Sequence, residues 1–193
     1  MNAFFFWENF PGLTRNDPIN PYAWLLAEAL EEEGIHLERG DYTFGSEWLE
    51  SKRSEFEVIH LNWPQRFYLR DSLEDTLAAL TLFAKNLALA RSLGYRIVWT
   101  VHNLLPHERP FPDVDRLGRL LVCRLAHQLI AHCAHAAELA REQFLPAGDI
   151  RIIPHGHFID VFENRIGRRQ ARSRLEIAED SFVYLFFGNA RVY

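Results

Sequence analysis

The stretch Arg96-Ile97-Val98-Trp99-Thr100-Val101-His102-Asn103 decides how this sequence folds. A run of β-branched and aromatic side chains with little polar alternation suits a strand buried on both faces. His102-Asn103 then stands where the chain must turn. Upstream, residues 71–92 read as a long helix that stops at Gly94, a residue that tolerates the left-handed conformation ending many helices. Downstream, a helical pattern over residues 114–125 leads to a short strand at 127–131. Strands separated by single helices are the units of a parallel sheet.

Further outward the same alternation continues. Residues 3–7, Ala-Phe-Phe-Phe-Trp, form a buried first strand, followed by a loop with Pro11, Gly12, Pro18 and Pro21. Tyr22, Leu25, Leu26, Ala29 and Leu30 recur at helical spacing, and Gly34 supplies the stop. Residues 35–37 make a short second strand. Residues 58–61 make a third, closed by Asn62-Trp63-Pro64, while a helix at 134–144 and a strand at 150–153 complete the series. The expected fold is α/β, a doubly wound, Rossmann-like parallel sheet. Right-handed crossovers would place helices on both faces and ligands at the carboxyl ends of the strands.

Residues 1–160 are assigned to this domain. Residues 161–180 form an arginine-rich linker with a short helix, carrying Arg165, Arg168, Arg169, Arg172 and Arg174. Residues 181–193 open with an apolar strand at 182–187 that reads as the start of a further domain. Without that domain's sheet, this strand is expected to add to a sheet edge, pair with another chain, or stay unstructured.

Composition narrows the function. Apolar residues make up 48% of the 193 and charged residues 24%, an ordinary globular balance. A net charge of -5 argues against general nucleic-acid binding, which needs a basic surface. The two cysteines, Cys123 and Cys133, belong to no CxxC pair and are expected to be buried, reduced thiols. The apolar start lacks a positive leader and meets Glu8 at once, so it does not read as a signal peptide. Lys85, Asn86 and Arg91 interrupt the longest apolar helix, which is therefore not expected to span a membrane. The expected location is cytoplasmic.

Candidate chemistry lies past the strand ends. His102 reads as a hydrogen-bonding or proton-accepting group, imidazole titrating near neutrality, or as a histidine satisfied by a loop carbonyl. Asn103 reads as a substrate contact or an Asx-type turn former. His107 and Glu108 are a titratable pair on the same loop. In an inverting reaction Glu108 would deprotonate an acceptor hydroxyl; the alternative is a solvated loop pair. Glu8 is a second candidate for acceptor contact or base work. Gly12 would let backbone amides approach a phosphate at a helix N-terminus, although turns use glycine anyway. Neither His132 with His135 nor His155 with His157 has a carboxylate or cysteine cluster at ligand spacing, so no metal is expected. The arginine run reads as a contact for anionic headgroups or as a solvated helix face.

Thr100-Val101-His102-Asn103, the Ile152-Ile153-Pro154-His155-Gly156-His157 turn and Phe186-Phe187-Gly188-Asn189-Ala190-Arg191-Val192-Tyr193 together resemble GT-B glycosyltransferases. The relevant group includes bacterial polysaccharide and lipid-linked sugar transferases, and the Asn20-Pro21-Tyr22 helix entry fits some members. The likeness runs through the chain in order and rests on combination and spacing. Two features depart from it: no Lys-Gly follows Tyr193, and the loop after the first strand has a lone Gly12 where many relatives have two glycines.

The resemblance implies the N-terminal, acceptor-side half of a GT-B enzyme, cut at the start of its donor-binding domain. That enzyme would be a hexosyltransferase moving sugar from a nucleotide-activated donor to a glycan or lipid-linked glycan in polysaccharide biosynthesis. His102 and Glu108 take catalytic roles; Glu8, Asn103 and His107 contact acceptor; Gly12, Gly188 and Arg191 bind donor phosphate. Arginine suits phosphate because guanidinium meets its oxygens in a bidentate way. The nucleotide sugar is a substrate, and no cofactor is implied. Peripheral membrane contact and pairing through the final strand are further expectations. The rival readings are a non-catalytic assembly subunit and another nucleotide-sugar or NAD-dependent enzyme. The missing G-x-G-x-x-G after the first strand counts against NAD.

Overall fold

Six parallel strands lie in the order β2-β1-β3-β4-β5-β6. The structure is a computed structural model that describes residues 1–7, 20–107, 109–159, 161–163, 165–186 and 188. Along the chain the elements are β1 (Asn2–Phe6), α1 (Tyr22–Glu32), β2 (His36–Gly40), α2 (Ser46–Lys52), β3 (Val58–Leu61), α3 (Gln65–Tyr68) and α4 (Leu73–Ser92). They continue with β4 (Arg96–Val101), α5 (Pro112–Leu125), β5 (Gln128–Ala131), α6 (Ala134–Phe144), β6 (Asp149–Ile152) and α7 (Arg168–Arg174). The chain winds one way from β1 to β2 and the opposite way from β3 through β6. The direction of winding therefore reverses between β1 and β3, where open α/β sheets leave a ligand crevice.

The period of two along β1 divides its aromatics between two layers. Phe4 and Phe6 join the larger core with Ile59, Trp99, Leu80 and Phe83. Ala3 and Phe5 face the other side with Ala23 of α1, Leu37 and Val58. Gly40 of β2 allows this crowding, since a Cβ there would stand 2.5 Å from the Phe4 ring. Helices α1 and α4 end as the glycines suggest. Gly34 has φ +74° and Gly94 φ +85°, and Tyr95 N–H returns to the Ala90 carbonyl at 3.0 Å.

The second strand is longer than its apolar core of residues 35–37 suggests. It is His36–Gly40 because it pairs with the whole of β1, from Asn2 to Phe6. Helices α2 and α3 had no sequence expectation. The first buries only Leu49, and the second is a single turn after Pro64, so neither shows an apolar period. Cys123 is buried as expected, but Cys133 is exposed. It precedes α6 as the N-cap, with its Sγ accepting from Ala136 N–H at 3.5 Å, rather than closing a strand inside the core.

Met1–Gly156 is one compact unit and His157–Tyr193 a second. In the second unit, Arg168 and Arg169 lie 3.9 Å from the Glu179 carboxylate, and Arg172 donates to the Ser181 carbonyl at 2.9 Å. The expected strand at 182–187 is not formed over residues 182–186. Phe182 is 82% and Tyr184 91% exposed, with no ladder beside them. A strand's backbone groups need a neighbouring strand, and among the described residues none pairs with this segment. Among the described residues no helix is long and apolar enough to cross a membrane.

Candidate functional site

Four parallel strands deliver side chains to one edge of the sheet. Trp7 follows β1, Asn62 and Trp63 follow β3, His102 follows β4 and His132 follows β5. Tyr22 at the start of α1 and His155 after β6 complete the group. The aromatic rings form a continuous series: Trp7 lies 5.7 Å from Tyr22 and 4.7 Å from Trp63, and Trp63 stacks on His102 at 5.2 Å. Tyr22 meets His102 edge-on at 5.0 Å and His155 at 5.1 Å. Trp7 and Trp63 flank the point where winding reverses, so this platform occupies the crevice that the topology creates.

Polar contacts fix the imidazoles. His102 Nε2 lies 2.9 Å from Asn62 Oδ1, and His102 Nδ1 lies 3.3 Å from His132 Nε2. His132 Nδ1 donates to the Ile153 carbonyl at 3.0 Å. Asn62 is buried, and its backbone carbonyl accepts from Trp99 Nε1 at 3.1 Å. Deeper in the sheet, His60 Nε2 lies 2.7 Å from Thr100 Oγ1, the hydroxyl that also bonds Tyr22.

Burial and neighbouring imidazoles keep His60 and His102 neutral. Desolvation lowers His60 to about 3, with His102 adding to the shift. Desolvation also lowers His102 to about 4, helped by His132 and His155. A histidine so poised is a weak base at neutral pH and serves better as a hydrogen-bonding group. Burial raises Tyr22, while its bond with Thr100 opposes the shift.

His102 stands inside this cluster, half-buried, with both ring nitrogens already engaged. Asn103 is half-buried in the following turn, where His102 N–H bonds back to the Thr100 carbonyl at 3.1 Å. His107 is exposed farther along the loop. Gly188 is exposed in the second unit, with φ +145°. Glu8, Gly12, Glu108 and Arg191 lie outside the described residues. Among the described residues no group of three or more His, Cys, Asp or Glu can hold a metal ion.

Sequence reasoning singled out the end of β4 and left out Trp7, His60, Asn62 and Trp63. The available signal was the end of every other strand in the alternation, above all His60-Leu61-Asn62-Trp63. An open apolar groove of about 440 Å³ between α4 and α5 belongs to the helical layer and contains none of these groups.

The sequence profile of Glycosyltransferase Family 4 matches residues 48–160. A comparison with curated protein sequences finds no match. Among solved structures, the chain is similar to the crystal structure of Anabaena Alr3699/HepE in complex with UDP-glucose, with a TM-score of 0.51 and 15% identity. That superposition covers 91% of this chain and 50% of the other, so the chain spans about half the length of that structure. At this identity the likeness concerns the fold, and it agrees with the Rossmann-like, GT-B architecture expected from sequence.

Proposed function

The chain belongs to Glycosyltransferase Family 4, and on that premise we propose that it is the acceptor-side half of a hexosyltransferase. The donor is a nucleotide-activated sugar and the acceptor a glycan or lipid-linked glycan. In the reaction, the bond from anomeric carbon to phosphate breaks, the electron pair leaves with the nucleoside diphosphate, and the acceptor oxygen bonds to that carbon. The acceptor proton passes to a base. The observation that carries this reading is the aromatic and imidazole platform at the winding reversal. Trp7, Tyr22 and Trp63 offer flat apolar faces, and His102 beside them suits sugar hydroxyls. The UDP-glucose in the structurally similar Anabaena protein is consistent with a nucleotide-sugar donor.

Asn103 and His107 follow His102 on the acceptor side. Glu8 and Glu108 join them through their sequence positions alone, Glu108 as the base of an inverting route. Gly12, Gly188 and Arg191 are assigned to donor phosphate, where Arg191 would stabilise charge developing on the leaving diphosphate. Alone, the chain folds and does not turn over. A cytoplasmic enzyme at the membrane surface fits a lipid-linked acceptor, although Arg168, Arg169 and Arg172 meet acceptors within their own unit.

The test is a transfer assay with a full-length version. His102→Ala is expected to lower kcat/KM by roughly 100-fold. Unchanged rates with every donor accepted by the parent would sink the proposal. A second reading, an assembly subunit that docks a separate donor-domain chain, draws on the exposed apolar residues 182–186. Co-purification of such a chain would favour it.

A further inference from the structure

The acceptors around the two bonded histidines leave the pair one proton short. Asn62 Oδ1 accepts from His102 Nε2–H, and the Ile153 carbonyl accepts from His132 Nδ1–H. If both rings were neutral, the remaining nitrogens, His102 Nδ1 and His132 Nε2, would direct lone pairs at each other across 3.3 Å. Reversing the Asn62 amide would not mend this cheaply. It would turn Oδ1 toward the Phe6 carbonyl, which now faces Asn62 Nδ2 at 3.5 Å. A buried acceptor against an acceptor costs more than the hydrogen bond it replaces.

We propose that His132 is a positioning residue for His102. One additional proton lies between the rings, His132 is the imidazolium, and its Nε2–H donates to His102 Nδ1. This bond, with the Asn62 bond on the far side, locks His102 in the Nε2–H tautomer and holds its ring flat against Trp63. The charge sits on His132 because His102 is the more deeply desolvated ring, and a cation at His132 itself disfavours a second one at His102. The other titratable groups facing the pair are His155, 5.0 Å from His132 between centroids, Tyr22, 5.0 Å from His102, and His60, which couples to His102. His60 and Tyr22 are neutral. When His132 loses its proton, the bridging bond is lost and the His102 tautomer is released. The proposal concerns the state of the ring and stands apart from whether His102 meets a sugar.

The experiment is long-range ¹H–¹⁵N correlation spectroscopy of the ¹⁵N-histidine-labelled chain, from about pH 5 to about pH 9. At the acid end His132 is expected to show two protonated nitrogens, and His102 a protonated Nε2 with an accepting Nδ1. At the alkaline end His132 loses one proton and the His102 signals move to a tautomer mixture at the same midpoint. His132→Gln, whose amide is a donor at every pH, is expected to hold His102 as Nε2–H throughout, and His132→Phe to abolish the pH-linked change. A His102 that is Nδ1–H across the range, or is itself the imidazolium, overturns the proposal. So does His102 behaviour that His132→Phe leaves untouched.

Discussion

His60 shows how a single side chain can tie the fold to pH. It is buried in β3, its ring edge-on to Phe5 at 4.8 Å and its Nε2 2.7 Å from the Thr100 hydroxyl. Desolvation holds it at about 3, against the usual value near 6.5. The unfolded chain therefore takes up a proton that the native chain refuses, so the stabilisation is complete above about pH 6.5 and is lost as pH falls toward 3. The slope is at most about 1.4 kcal/mol per pH unit for this one group. Chemical denaturation between about pH 7 and pH 5 should show falling stability, and His60→Phe should flatten the curve by up to one proton. An unchanged slope in the variant would assign the acid sensitivity elsewhere. Arg119 presents the opposite case. It lies on a helix that also carries Arg116 and Arg124, yet it is 1% exposed, with its guanidinium 5.5 Å from the Trp99 ring and Nη2 bonded to Gln65 at 2.6 Å. No local pattern distinguishes a solvated arginine from one that the sheet covers.

The helix ends and tight crossings carry their own predictions. Ser72 caps α4, its hydroxyl accepting from Asp75 N–H at 3.0 Å. Ser72→Ala is expected to cost about 1 kcal/mol, read as a lower urea midpoint at unchanged m-value. Gly94, at φ +85°, follows the other end of α4, and Gly94→Ala is expected to cost about 1–2 kcal/mol because a Cβ strains the left-handed conformation. Gly148 precedes β6 and passes close to His127. A Cβ there would stand 2.3 Å from the His127 carbonyl oxygen, a backbone atom that cannot rotate away. Gly148→Ala should therefore cost more, roughly 3 kcal/mol or above, by the same measurement. A ranking with Gly148 below Ser72 would mean that the loop before β6 shifts freely.

For the whole molecule, the division at Gly156 predicts where cooperativity resides. Among the described residues, every buried core residue lies between Ala3 and Phe144. Met1–Gly156 expressed alone should unfold in calorimetry within about 4 °C of the full chain, since a loss near 1 kcal/mol shifts a domain of this size by that much. A drop well beyond this would make His157–Tyr193 part of the same cooperative unit. The winding reversal between β1 and β3 also belongs to this scale. It brings Trp7 and Trp63, 56 positions apart in the sequence, into contact, and it places His102 and His132 beside them.

The bulky run Phe4-Phe5-Phe6, the apolar run ending at His102, and the glycines after α1 and α4 were legible because each records local geometry. A buried strand, a helix face and a left-handed stop constrain residues close together in sequence. From such marks the parallel α/β sheet can be read directly. Tertiary structure alone decided that His102 bonds Asn62 and His132, that His60 lies beneath them, and that residues 182–186 make no strand. Strand order, desolvation and ladder pairing depend on which segments become neighbours. That choice minimises the free energy of the assembled sheet, and no single stretch of the chain contains it.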